Sequence, residues 1–300
     1  METIYIKSKS SIDKSKFTEK ETCVLALGFF DGVHIGHQRI LETAKRIAVQ
    51  KQCAFGVMTF YPHPKDILFP HMEPMTYLTP LPLKEDRFEK LGVEKLFVVE
   101  FSPEFARLSP NDFIAQYIIG LGCIHVVAGF DYHYGYKGLG SMKTLSEYNP
   151  GSLEVTTVPK IQHEDEKISS TAIRKLLDEG HVQKIPMYLG DFYEINGEVN
   201  QSSLFYKKHQ FLKLIVEKKY RMPKPGIYHI QVEIDGNNYD GTCHQISINE
   251  QHPSLLIQLK DCSVYPYKKR IKIKWLNYKY GKQNESYGMN EYMKKDELVI

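Results

Sequence analysis

Five short strand-like runs, the first of them continuously apolar, alternate with stretches of helical spacing in the first half of this chain. They are CVLAL (Cys23–Leu27), AFGVMTF (Ala54–Phe60), KLFVVEF (Lys95–Phe101), HVVAGF (His125–Phe130) and LEVTTV (Leu153–Val158). A strand that is apolar on both faces needs cover on both faces. A parallel sheet with helices above and below supplies it. The helix expected after the first run carries Ile40, Leu41, Ala44, Ile47 and Ala48 on one stripe. NDFIAQYIIGLG is helix-compatible, and SSTAIRKLLDEG opens on serines and stops at Gly180.

After about residue 185 the period drops to two. In IYHIQVEID, Tyr228, Ile230, Val232 and Ile234 share one face, and His229, Gln231, Glu233 and Asp235 share the other. DGNN (Asp235–Asn238) is a hairpin signal, and RIKIKW alternates again through Ile271, Ile273 and Trp275. The 300 residues are enough for two domains. The expected fold is α/β over residues 1–185, followed by a smaller antiparallel β-barrel over 186–300.

The net charge of +3 points to no partner by itself, but its distribution is uneven: residues 201–300 hold 17 Lys+Arg against 10 Asp+Glu. The five cysteines are scattered with no CxxC pair, which argues against a disulfide framework or a zinc site and for buried thiols. No apolar stretch approaches a membrane span, and METIYIKSKS lacks a signal-peptide core, so a cytoplasmic location with no membrane partner is expected.

The segment GFFDGVHIGHQRIL (Gly28–Leu41) joins the first strand to its helix. Strand, glycine turn and helix N-terminus together make an anion-binding device, because free backbone N–H groups and the positive end of the helix dipole face the turn. His34 and His37 share one face of the first helical turn, where their imidazole N–H groups are placed for polyphosphate oxygens. Gly36 stands between them, where a side chain would block a nucleotide. The pattern is neither G-x-G-x-x-G nor a Walker loop.

This segment resembles the H-x-G-H signature of the nucleotidylyltransferase superfamily. Its wording is most similar to the bacterial FAD synthetase family, whose members are usually bifunctional riboflavin kinase/FMN adenylyltransferases. The resemblance continues in order through TFYPHP (Thr59–Pro64), residues 77–114, VVAGFDYHYGYKGLG (Val126–Gly140) and ISSTAIRKLL (Ile168–Leu177). It implies a Rossmann-like nucleotidylyltransferase domain with ATP and FMN as substrates and Mg²⁺ as cofactor. His34, His37 and Arg174 take catalytic roles by this resemblance. Gly28, Phe29, Asp31, Gly36, Ser169, Ser170 and Thr171 fall at the ATP, and Phe60, Pro62, His63, Asp131 and Tyr132 at the flavin. One departure stands out: the family commonly has Asp, Asn or Glu where this chain has Tyr61, which puts metal handling in question.

The second half resembles the family's riboflavin-kinase domain in YEINGEV (Tyr193–Val199), in the hairpin of residues 224–246 and in residues 255–276. The kinase chemistry implied by that resemblance is missing. From Glu198 to Met222 there is no Gly, Pro or Thr, so the family's glycine-rich phosphate segment has no place. Aligning Asp261 and Tyr267 puts Leu256 where the family's base glutamate belongs.

The expectation is therefore an FMN adenylyltransferase without riboflavin kinase activity. A catalytically inactive flavin or nucleotide sensor, an RNA-binding regulator, a transferase for another acceptor and a bifunctional kinase/synthetase are the alternatives. The RNA reading rests on Lys268, Lys269, Arg270, Lys272 and Lys274 beside Tyr265, Tyr267 and Trp275, a run that a half-buried strand also explains.

Overall fold

Six parallel strands, one more than the apolar runs announce, form the sheet of the first half. In the computed structural model they are β1 (Glu2–Ile6), β2 (Cys23–Leu27), β3 (Ala54–Tyr61), β4 (Lys95–Glu100), β5 (Cys123–Gly129) and β6 (Glu154–Val158). The structure describes residues 1–7, 22–148, 153–163, 166–205, 209–217, 219–247, 254–260 and 266–280. Asp261, Cys262 and Tyr265 lie outside these. The additional strand, β1, is an edge strand paired with β4, and its Tyr5 is exposed, so it lacks the continuous apolar character of the central strands.

The strand order is β1-β4-β3-β2-β5-β6. From β2 the chain steps outward to β3 and β4, then crosses back to the far side of β2 for β5 and β6. The carboxyl ends of β2 and β5 therefore form a topological switch point, where a parallel sheet leaves a crevice for a ligand. Alternate residues of β2 feed two cores. Val24 and Ala26 pack with Leu41, Ala44 and Ala48 of helix α1 (Ile35–Lys51). Leu25 and Leu27 pack on the other face with Phe113, Ile114 and Ile118. This part also holds α2 (Pro64–Leu68), α3 (Leu81–Lys90) and α4 (Pro110–Phe113), the last continuing as irregular helical turns to Leu121. A short helix, α5 (Met142–Tyr148), precedes β6.

Contacts divide the chain into two units, Met1–Ser169 and Ser170–Ile300. The change of period in the sequence falls near residue 185, but helix α6 (Ser170–Glu179) lies in the second unit. There Lys224 N donates to the Leu177 carbonyl at 2.8 Å, and the Arg221 guanidinium grips both oxygens of Asp178 at 2.6 and 2.7 Å.

Six antiparallel strands close the barrel in the order β7-β8-β11-β10-β9-β12. They are β7 (Tyr193–Phe205), β8 (His209–Val216), β9 (Ile227–Ile234), β10 (Asn237–Ser247), β11 (Ser254–Lys260) and β12 (Arg270–Tyr280). The predicted inward faces are inward: Tyr228, Ile230, Val232, Ile271, Ile273 and Trp275 are fully buried, and the Trp275 ring meets Tyr228 edge-on at 4.9 Å. Asp235 and Gly236, with φ of 50° and 80°, make the two-residue turn that DGNN predicts.

The outward basic run is not a free cationic stripe. Lys272 pairs with Glu233 at 3.1 Å and Lys274 with Asp191 at 2.9 Å. Lys269 pairs with Asp235, and Arg270 lies 3.7 Å from Glu217. These pairs fit the reading of the run as the solvated, ion-paired face of a half-buried strand. Of the cysteines, Cys23, Cys123 and Cys243 are buried thiols and Cys53 is half-buried. Among the described residues no helix is long and apolar enough to cross a membrane.

Candidate active site

The turn between β2 and α1 is strained and held from behind. Phe30, Gly32 and Val33 all have left-handed backbones, with φ of 54°, 89° and 45°. For an aromatic and a β-branched residue this conformation costs ~1–3 kcal/mol each. Glycine carries no such cost at position 32. Buried hydrogen bonds fix the conformation. Asp31, only 4% exposed, accepts from Leu78 N at 3.0 Å and Thr79 N at 3.1 Å. Gly32 N donates to Thr79 Oγ1 at 2.7 Å. From α3, Lys84 Nζ donates to the Phe29 carbonyl at 2.6 Å, and Arg87 Nη1 donates to the Gly32 carbonyl at 2.7 Å. The Phe30 ring is buried beneath the turn. A Cβ on Gly28 would stand 2.8 Å from it, which is why a glycine ends the strand.

His34 caps α1. Its Nδ1 accepts the His37 backbone N–H at 3.2 Å, a role usually taken by Ser, Asp or Asn. With Nδ1 accepting, the proton of the neutral ring sits on Nε2 and is available to an incoming oxygen. The two imidazoles stack with centroids 3.5 Å apart. A Cβ on Gly36 would lie 3.1 Å from Cε1 and Nδ1 of His34, so the glycine makes room for that ring as well as for a ligand. His37 Nδ1 is buried with no hydrogen-bond partner among the described residues. A buried unpaired polar atom points to a group that binds there.

Burial drives the His34 pKa down to about 4, against the opposing pull of Asp31 and Asp131. His37 is held well below the usual imidazole value, first by burial and then by His34, Lys84 and Lys167. Both rings are thus neutral N–H donors at pH 7. The first turn of α1 carries no acidic side chain to oppose an anion at its N-terminus. Burial also lowers the Lys84 ammonium to about 8, opposed by Asp31.

Around this centre the expected residues sort into groups. Asp131 is exposed and ion-paired with Lys167, whose Nζ sits 5.0 Å from the centre of the Phe130 ring. Ile168 follows Lys167 and brings its carbonyl to 3.8 Å from a Cβ on Gly36, so this segment borders the turn. Ser169 ends the first unit. Ser170, Thr171 and Arg174 belong to α6, in the second unit. Phe29 meets His63 edge-on at 4.4 Å and lies 6.1 Å from Tyr77. Pro62 follows Tyr61 through a cis peptide, and the Tyr61 ring lies 6.2 Å from Tyr77. A cleft of about 440 Å³ opens beside Phe130, lined also by Met142, Lys143, Val155 and Thr157.

Two of the expected residues make contacts within the fold. Phe60 packs in the core against Phe105, with ring centroids 5.5 Å apart. Asp31 turns its carboxylate inward to the backbone of residues 78 and 79, where it braces the turn. Tyr132 is partly buried and stacks on Tyr134 at 6.2 Å. Sequence reading passed over Lys84, Arg87 and Thr79. Lys84 carries a readable signal, because it sits four residues before Phe88 on the stripe where α3 buries its side chains. Among the described residues no three His, Cys, Asp or Glu side chains stand close enough to hold a metal ion, so the donor set does not fit a resident metal centre.

A family model described as FAD synthetase matches residues 16–172. The "Bifunctional riboflavin kinase/FMN adenylyltransferase" of Bacillus subtilis (strain 168) is 40% identical over 283 residues, covering 92% of this chain and 89% of that protein. A Listeria monocytogenes protein named "FAD synthetase" is 33% identical over 187 residues, covering 62% of this chain and 76% of its own length. A crystal structure titled "Macrolide-efflux Protein from Streptococcus pneumoniae" superposes with a TM-score of 0.79 at 28% identity, covering 93% of this chain and all of that one.

Proposed function

The chain belongs to the FAD synthetase family of nucleotidyltransferases, and from that premise we propose that it transfers AMP from ATP to FMN, giving FAD and pyrophosphate, without phosphorylating riboflavin. The observation that carries the first part is the pair of stacked, neutral histidines at the N-terminus of α1, over a turn braced from behind. In the reaction a phosphate oxygen of FMN attacks the α-phosphorus of ATP, a new P–O bond forms, and the bond to the β-phosphate oxygen breaks. The attacking phosphate has its second pKa near ~6 and is already ionised at pH 7, so no general base is required. The chain's contribution is alignment and donation of hydrogen bonds to oxygens that gain charge. His34 Nε2–H and the N-terminal amides of α1 fill that role. Mg²⁺ enters with ATP as part of the substrate, held mainly by phosphate oxygens and water. The aromatic group of Phe29, His63 and Tyr77 and the cleft beside Phe130 are the two surfaces suited to a flat acceptor. The four cysteines among the described residues are free thiols, which suits a reducing cytoplasm.

The second part rests on the barrel. Strands β7 and β8 pair from Gly197↔Val216 to Phe205↔His209, so the stretch where the kinase family keeps a phosphate loop is spent in a hairpin ladder. Leu256 lies on the outward side of β11 between Lys213 and His244, and its side chain accepts no proton. A paired product assay tests both parts: one tube with riboflavin, ATP and Mg²⁺, the other with FMN, ATP and Mg²⁺, separated by chromatography. FAD from FMN with no product from riboflavin is expected. FMN appearing in the first tube overturns the second part, and no FAD in the second tube overturns the first.

A further inference from the structure

Helix α3 buries Leu83 and Phe88, as an amphipathic helix should, and beside them it buries a lysine. Lys84 is only 2% exposed. An ammonium removed from water is costly unless charge and hydrogen bonds compensate, and a leucine would fill the same space without that cost. The compensation comes from one place. Nζ donates to the Phe29 carbonyl at 2.6 Å, lies 3.5 Å from Thr59 Oγ1 and 4.2 Å from the centre of the Phe29 ring, and is attracted by Asp31. Thr59 Oγ1 adds a second bond to the same carbonyl at 3.0 Å. In a trans peptide the C=O and the next N–H point in opposite directions. Holding the Phe29 carbonyl toward α3 therefore turns the Phe30 N–H away from α3. A cation on the carbonyl also polarises the peptide and strengthens its N–H as a donor. Three residues later on the same helix, Arg87 holds the Gly32 carbonyl. The two cations thus pin the turn on either side of Phe30, a left-handed residue that the backbone alone would not favour.

We propose that Lys84 is a positioning residue for adenylyl transfer, acting through the Phe29 carbonyl to hold the glycine turn and His34 in the geometry that receives the triphosphate. This rests on the reading of the turn as the ATP site.

The test compares wild type with Lys84→Met, which keeps length and removes charge. Turnover of FMN and ATP to FAD should fall about 10²-fold, the scale of a small misplacement at a reacting centre, with KM for FMN unchanged. In wild type, kcat/KM for ATP should decline as pH rises through about 8, and the variant should lack that limb. Asp31 and His37 are the other ionisable groups facing Lys84. Because Lys84→Met leaves Asp31 buried without its cation, the double variant Lys84→Met/Asp31→Asn restores neutrality if the single one does not fold. A folded but slow variant supports the proposal, and wild-type turnover in either folded variant overturns it. Hydrogen exchange across residues 28–37 reads the turn independently of activity. Faster exchange in Lys84→Met is expected, and unchanged protection overturns the proposal even if wild type makes no FAD, an outcome that would instead sink the assigned reaction.

Discussion

The backbone N–H of His37 donates to Nδ1 of His34 at 3.2 Å, and the two rings stack at 3.5 Å. One bond thereby caps the helix, selects the tautomer of His34 and orients its free N–H. Burial keeps both rings uncharged, so the site offers aligned neutral donors and a helix terminus rather than a pair of imidazolium ions.

Replacing either histidine separates chemistry from folding. His34→Ala and His37→Ala should each lower turnover by about 10²-fold or more, the scale of losing a preorganised donor. His34→Ala should also cost ~1 kcal/mol of stability through the lost cap, whereas His34→Asn should keep the cap and still be slow. FAD formation rates and thermal melts on the same samples check this.

Gly36→Ala tests whether the space beside His34 matters. The added methyl meets the imidazole at 3.1 Å, so the ring or the helix start must shift. Turnover should fall at least tenfold while the melting temperature changes by only a few degrees. An unchanged rate would show that the ring moves freely.

Stability should fall on acidification in a defined window. His34 in the unfolded chain takes up a proton near 6.5, but in the folded chain only near about 4. Between those values the unfolded state binds more protons, so folding weakens as pH drops from 6.5 toward 4. Urea midpoints at pH 7, 5.5 and 4.5 should decline for wild type, and His34→Asn should show a shallower decline.

The barrel's basic run should not capture single-stranded RNA. Lys269, Lys272 and Lys274 each face a carboxylate on a neighbouring segment, which leaves little charge for phosphate. Labelled oligouridine at 50 mM salt is expected to stay unbound in a fluorescence anisotropy titration. Binding that weakens steeply with added salt would contradict this.

The parts legible in the sequence are local. The glycine turn, the histidines three apart and the helix behind them lie within fourteen consecutive residues, and their chemistry follows from spacing along one helix face. The strands β2 to β5 were visible because each is largely buried on both sides and so mostly apolar. The edge strands β1 and β6 share one half-exposed burial pattern, and β6 was found by its unbroken run of β-branched residues, Val155, Thr156, Thr157 and Val158. The core packing of Phe60 was not legible, because an aromatic residue at a strand end looks the same in sequence whether it faces a ligand or the core.

The sequence by itself determined the covered parallel sheet, the antiparallel barrel and the glycine turn with its two histidines, since each follows from periodicity or from residues adjacent in the chain. Only the tertiary structure decided what holds the turn. Lys84 and Arg87 come to it from 55 residues away, and Thr79 from 47. It also decided that Asp31 faces inward and that Lys269, Lys272 and Lys274 face carboxylates on neighbouring segments. Such contacts depend on which surfaces meet as each unit packs, and no spacing along the chain encodes a partner that distant.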